Sequence, residues 1–328
     1  MASAPTYQRA VQLVRVDGSP CLRATTKEVP KPGNAEVLIR VYLWPVNTTD
    51  EKVFLGKYPD KTAASLPGAV PGSEGASRFK VGQRVVAAPW PMFEGQGTWQ
   101  QYVAVPERHL VAVPDNVPDE HAAQFWINPM TVCGLFETLS IPQGEWLLQT
   151  AAGSVLGRIA IAYAKHRGIK TINVVRRSEQ KEELLALGAD GVVCSSDQDI
   201  VECVKKITGG SGAYGAIDCV GGDTTKAVVS ALRPQGTVLL YGTMSGPVLN
   251  VNIFDLLYYG KVVTGFVIYK WIDMLGAQRE EKLHYMMNLI AQRVIKPYSG
   301  TTYPLEQFEE AMHESKSAAR GGKVFLQA

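Results

Sequence analysis

Cysteine and histidine are both scarce, at five each in 328 residues. The cysteines (Cys21, Cys133, Cys194, Cys203, Cys219) are scattered, with no C-x2-C pair. That excludes a disulfide framework and a zinc knot as folding devices, and those in apolar stretches read as small buried hydrophobes. His109, His121, His166, His284 and His313 show neither H-E-x-x-H nor Cys/His spacing, so no metal site is expected. A serine nucleophile would need a G-x-S-x-G elbow, which is missing. Charge of one sign is lacking too: 33 basic against 31 acidic residues leave a net charge of +2. With no basic stripe, nucleic acid is not an expected partner. No run of about 18 apolar residues exists, so no membrane span is expected. The first residues, MASAPTYQRAVQLVRV, lack an uncharged apolar core and a clear transit segment, for export or a mitochondrial address. These absences predict a reduced, soluble, cytoplasmic protein.

What is present is ordinary globular composition, 46% apolar and 20% charged, over a length that suits about two domains. Two textures alternate. Up to about residue 117, short β-rich runs such as 36–42, 83–88 and 101–105 are punctuated by Pro and Gly, as in a compact antiparallel β domain. The long aromatic loop 88–97 reads as a site wall. From Pro118-Asp119-Glu120 an apolar helical stretch runs to Leu139, broken at Asn128-Pro129. Strands and helices then alternate: strands at 146–150, 171–175, 191–195, 216–220, 237–241 and 261–268, with helices between. Continuous apolar strands separated by helices predict a parallel, doubly wound Rossmann sheet. The final pattern Lys323-Val324-Phe325-Leu326 suggests that the chain returns to complete its first domain. The expected division is 1–120 with 269–328, and 121–268, with a cleft between them.

The strongest local feature is Ala151-Ala152-Gly153-Ser154-Val155-Leu156-Gly157, after the first Rossmann strand. A pyrophosphate approaches backbone N–H groups at a helix N-terminus, so side chains there must be small. Gly153, Ser154, Val155 and Leu156 are therefore candidate dinucleotide contacts, and Gly157 lets the helix lie close. The next strand ends in Arg176-Arg177, where an NAD site would place an acid. Arg donates a planar fork to a 2′-phosphate, so NADPH is favoured over NADH, the alternative being two solvated arginines. With metal and serine chemistry unsupported, hydride transfer by a bound cofactor remains.

The chain resembles the zinc-free branch of the medium-chain dehydrogenases/reductases over nearly its whole length. The resemblance rests on Val46-Asn47, Pro71-Gly72-Ser73-Glu74-Gly75, Phe79–Val85, Asn128-Pro129-Met130-Thr131, the small-residue turn and Leu187-Gly188-Ala189. Zinc-dependent relatives carry Cys near Asn47 and His at Ser73. The resemblance implies a Rossmann domain inserted into a GroES-like, mostly β catalytic domain, a homodimer, and reduction by NADPH of a quinone or a 2-enoyl thioester. Tyr241–Ser245, Gly265-Phe266 with Trp271, and 171–176 look more like the enoyl reductases. It further implies cofactor contacts from Thr131, Cys219, Val220, Tyr241, Gly242, Thr243, Met244, Phe266 and Val267. Tyr58 maps to the catalytic tyrosine, and Asn47 would orient the nicotinamide ribose or substrate. Trp90, Phe93 and Trp271 are candidate pocket walls, with ordinary core packing as the alternative. Two departures stand out: Val267 replaces a frequent Trp, and the segment after Gly75 is about ten residues short, which would leave an unpaired edge. Since some relatives serve as lens proteins or bind RNA, an NADPH-binding role without turnover is the other reading.

Overall fold

The computed structural model describes residues 4–57, 63–79, 83–317 and 321–328. The chain forms two compact units, one running to Ile127 and resuming at Glu280, the other spanning Asn128–Arg279.

The first unit begins with a hairpin, β1 (Tyr7–Val16) and β2 (Ser19–Glu28). Its two-residue turn places Asp17 at φ 49° and Gly18 at φ 79°. Both are left-handed, as a turn matching the strands' twist requires. β3 (Glu36–Pro45) is the hub of the main sheet, and α1 (Thr48–Phe54) follows it directly. β4 (Ala76–Phe79), β5 (Gln83–Ala87), β6 (Tyr102–Pro106) and β7 (Leu110–Ala112) complete this half. β4 pairs with β3 on one side and β5 on the other, so the short segment after Gly75 leaves no unpaired edge there. α2 (Asp119–Ala123) is tied to the sheet by Arg84, which donates to Asp119 Oδ1 (2.9 Å) and the Val117 carbonyl (2.6 Å).

The second unit contains α3 (Asn128–Leu139), β8 (Trp146–Gln149), α4 (Val155–Arg167), β9 (Lys170–Val175), α5 (Lys181–Leu187), β10 (Gly191–Cys194), α6 (Ile200–Ile207), β11 (Ala213–Asp218), α7 (Gly222–Ser230), β12 (Leu232–Leu240), α8 (Ile253–Leu257), β13 (Val262–Gly265) and α9 (Ile268–Met274). Its sheet has the order β10-β9-β8-β11-β12-β13, all parallel. This is the doubly wound order, whose direction of winding reverses between β8 and β11. Pro129 lies in the first turn of α3, where a missing N–H is harmless.

The chain then returns through α10 (Arg279–Ala291), β14 (Ser299–Pro304), α11 (Phe308–Ser315) and β15 (Lys323–Gln327). β15 lies antiparallel to β3, with Phe325 opposite Pro45, and closes the first unit's core. The division differs from the expected limits after 120 and 268. Arg84 holds α2 to the first unit, while α9 packs Trp271 on Gly134 of α3 in the second. The strand expected over 261–268 stops at Gly265, because Ile268, Trp271 and Ile272 are buried at helical spacing. No helix among the described residues is long and apolar enough to cross a membrane.

One buried ion pair fixes the segment between β12 and β13. Lys261 Nζ donates to Asp255 Oδ1 at 2.7 Å and to the Ser230 carbonyl at 3.0 Å, and Ser230 donates to Asp255 Oδ2 at 2.6 Å. Both charged residues are buried. Lys261→Met would leave the carboxylate without its cation, and a loss of about 3 kcal/mol is expected in urea unfolding. A change below the scatter of surface substitutions would show that the pair is not what fixes this segment.

Candidate functional site

In the second unit, the candidate nucleotide residues gather at the carboxyl ends of β8 and β11. Ser154 caps α4, its Oγ accepting from Gly157 N at 3.1 Å. The N–H groups of Val155 and Leu156 lie in the helix's first turn and have no acceptor four residues back. A Cβ on Gly153 would stand 2.1 Å from Gln180 Nε2, so the space beside this glycine is filled by the end of a flexible amide side chain. A Cβ on Gly157 would stand 2.5 Å from the Ala152 carbonyl oxygen. Its smallness serves the turn's own backbone. Arg176 and Arg177 follow β9 directly, and Arg176 is exposed.

Asp218 organises this end of the sheet, and sequence reasoning passed over it. Its wholly buried carboxylate accepts from Thr150 Oγ1 (2.5 Å), Thr225 Oγ1 (2.5 Å), Val220 N (2.8 Å) and Gly221 N (3.4 Å). The turn after β8 is thereby joined to the loop after β11. Backbone bonds from Met244 N to the Cys219 carbonyl (3.0 Å) and from Ser245 N to the Val220 carbonyl (2.8 Å) lay the 241–245 segment beside that loop. Cys219, Val220, Tyr241, Gly242, Thr243 and Met244 are thus one surface. A Cβ on Gly242 would sit 2.7 Å from that of Cys219. Burial pushes up both the Cys219 thiol and the Tyr241 phenol, so each stays neutral.

Phe266 and Trp271 pack together on Gly134, where a Cβ would stand 2.4 Å from Phe266 Cζ. Trp271 is buried in the second unit. Trp90 is likewise buried in the first unit, donating to the Gln96 carbonyl at 3.1 Å. Of the three expected wall residues, Phe93 alone is half-buried. Thr131 is buried in the first turns of α3, and Val267 is exposed just before α9. Tyr58, with Lys80-Val81-Gly82 of the family motif, lies outside the described residues.

The first unit contributes a buried polar cluster. Asn47 Nδ2 donates to Ser73 Oγ (3.1 Å) and Glu74 Oε1 (3.0 Å), and Ser73 Oγ donates to Asp50 Oδ1 (2.8 Å). Asn47 N donates to Asp50 Oδ2 at 2.9 Å, the cap of α1. Lys323 Nζ donates to Asn47 Oδ1, and Glu74 Oε2 accepts from Ile127 N at 2.8 Å. With both amide protons engaged inside the cluster, Asn47 has no donor left for a ribose or substrate. Burial, with Glu74 nearby, pushes the Asp50 carboxyl up to about 7, and burial raises Glu74 as well; Lys323 opposes both shifts. Asp50, Glu74 and Lys323 were not among the expected site residues.

The model of the alcohol dehydrogenase GroES-like domain matches residues 33–115, and that described as zinc-binding dehydrogenase matches 155–292. A mitochondrial enoyl-acyl-carrier-protein reductase of Xenopus tropicalis is 30% identical over 93% of this chain and 91% of its own length. A quinone oxidoreductase structure from Pseudomonas syringae pv. tomato DC3000 superposes with TM-score 0.85 at 27% identity, covering 98% of this chain and 100% of that one. A mycobacterial protein solved with NADPH gives TM-score 0.85 at 27% identity, with the same coverage. The chain belongs to the zinc-free branch of the medium-chain dehydrogenase/reductase superfamily.

Zinc, which the second family description implies, does not fit the cluster. It offers no thiolate or imidazole, its amide presents N–H groups to Ser73 and Glu74, and an ammonium already occupies the amide oxygen. Among the described residues no three His, Cys, Asp or Glu side chains are grouped to hold a metal ion.

Because Asp50 holds its proton in the folded state up to about pH 7 and releases it near pH 4 when unfolded, folding takes up a proton between those values. Stability is therefore expected to fall as pH rises from 4 to 7. Asp50→Asn should flatten that part of a urea-midpoint profile, and an unchanged slope would assign the titration elsewhere.

Proposed function

We propose that this protein is an NADPH-dependent reductase that delivers hydride to an electron-poor carbon–carbon double bond conjugated to a carbonyl, or to a quinone, without zinc. The observation that carries this reading is the glycine-lined turn at the winding reversal, with Arg176-Arg177 where a diphosphopyridine site would hold an acid. Support comes from the relatives' names, an enoyl reductase by sequence and a quinone oxidoreductase by structure. These names disfavour a binding role without turnover.

In this reading the pyrophosphate lies against Gly153, Ser154, Val155 and Leu156, after Gln180 has swung aside. Arg176, with Arg177, takes the 2′-phosphate. Thr131, Cys219, Val220, Tyr241, Gly242, Thr243, Met244, Phe266 and Val267 face the nicotinamide end, where the neutral thiol and phenol set no anion beside it. Reduced nicotinamide supplies the hydride. The developing enolate oxygen needs a hydrogen-bond donor in a dry site, and Tyr58 is the candidate on the strength of the resemblance. Arg176→Ala should raise the Kd for NADPH at least tenfold while leaving that for NADH within twofold, read by nucleotide fluorescence. Equal losses would reject the phosphate role. Steady-state NADPH oxidation with a small quinone against a medium-chain enoyl thioester assigns the acceptor, and turnover of neither would sink the reductase reading.

The protein is further read as a homodimer. Among the described residues β13 pairs only with β12, and Val248, Ile253, Phe254, Leu257, Tyr258 and Val262 are all exposed beside that edge in sequence. A parallel sheet with apolar residues at an open edge is completed by an identical edge about a two-fold axis. Val262→Lys should shift the sedimentation mass from two chains to one with NADPH affinity retained. A mass unchanged by the substitution, or equal to one chain in the parent protein, refutes this interface. Scattered cysteines without C-x2-C spacing fit the reducing cytoplasm, the competing address being the mitochondrion named for the sequence relatives.

A further inference from the structure

The buried cluster of the first unit holds more charge than its place in the interior explains. Asp50 and Glu74 are each about 1% exposed, and Ser73 is wholly buried. Two carboxylates taken this far out of water must be neutralised by protons or answered by a cation. The charged and titratable groups that face one another here are Asp50 on α1, Glu74 on the segment before β4, and Lys323 at the start of β15. Their other neighbours are Asn47, Ser73 and the backbone N–H groups of Ile127 and Trp126. Outside the cluster, Lys316 and Glu51 pair at 2.8 Å beside Asn47.

Lys323 is 95% buried and comes from the last strand, so its position is set by that strand and not by a flexible loop. Val324, Phe325 and Leu326 behind it are wholly buried, and Lys323 N donates to the Tyr298 carbonyl at 2.9 Å. Gly322 lets the strand enter: a Cβ there would meet the Ser299 carbonyl carbon at 2.5 Å. The backbone is thus shaped to carry an ammonium inward to Asn47 Oδ1.

We infer that Lys323 is the tethered cation of this cluster, its ammonium bonded to Asn47 Oδ1 and its charge opposing that of the two buried acids, thereby fixing the Asn47–Ser73–Glu74 hydrogen bonds. The inference rests on the geometry of the first unit and does not depend on the reductase reading. It makes Lys323 a positioning residue. It also accounts for the mismatch with zinc in positive terms, since the charge a metal would bring is already supplied by the chain.

The test is charge compensation, read by urea unfolding of the full-length protein between pH 5 and pH 8. Lys323→Met keeps the length of the side chain and removes the ammonium. The two carboxyls must then bind protons more tightly in the folded state, so the folding constant should fall with pH about tenfold more steeply per unit for each additional proton held. Lys323→Met combined with Asp50→Asn and Glu74→Gln, a neutral cluster of nearly the same volume, should recover most of the loss and abolish the added slope. If Lys323→Met fails to fold, the neutral triple variant should still fold. A triple variant no more stable than the single one, or a single variant with the parent's slope, would overturn the inference. In the parent protein, zinc should leave the midpoint unchanged, and a zinc-dependent rise abolished by Asp50→Asn would likewise overturn it.

Discussion

A carboxylate taken out of water must be met by donors of sufficient number or charge, and each half of this protein is arranged around such a demand. In the second unit Asp218 is answered without a cation, by two hydroxyls and two backbone N–H groups. Those donors belong to the turn after β8 and the loop after β11, so meeting the carboxylate's need also sets the spacing of the two strand ends at the winding reversal. In the first unit burial raises Asp50 and Glu74 toward their protonated forms, the Lys323 charge opposes that rise, and the chain must bring back its last strand to provide that charge. Hydrogen bonds to an ionised group are roughly twice as strong as neutral ones, and a buried charge left alone is expensive. Both arrangements therefore admit few alternatives.

This explains which parts of the molecule were legible in the sequence. The parallel sheet was, because strands buried on both faces are continuously apolar, and the Gly153–Gly157 turn was, because close backbone approach demands small residues. The hairpin over 7–28 carries its own signal, Asp17-Gly18, but its strands alternate imperfectly, with Ala10 and Val11 buried side by side. α8 and α9 escaped notice because their apolar residues sit in runs whose periodicity is hard to assign, and the exposed ones serve no core within the chain. Asp218, Asp50, Glu74 and Lys323 could not be read as partners. A single acid at the end of an apolar strand looks like a boundary, and a lysine 276 positions from its acceptor looks like a surface residue. Only the fold shows that these charges are inside.

Family resemblance singled out Asn47, and the fold shows what surrounds it. Its side chain touches three partners, each from a different segment: Ser73, Glu74 and Lys323. An amide that donates twice and accepts from an ammonium is locked in one orientation. It behaves as a keystone, and its value to any reaction lies in what it holds still.

The same locking bears on which acceptors suit the protein. The Lys323 ammonium is buried and committed to Asn47 Oδ1, so its charge is turned into the fold and not offered to a substrate. Reducing an isolated carbonyl concentrates a full charge on one oxygen, which calls for a Lewis acid or an unbalanced cation close by. Adding hydride to the far end of a conjugated double bond, or to a quinone, spreads that charge over several atoms before a proton arrives. A neutral donor such as a phenol or a water can meet so diffuse a demand. The electrostatics of the first unit and the acceptor class proposed for the protein are thus consistent for one reason: where the cation is committed to structure, the substrate must stabilise most of its own charge.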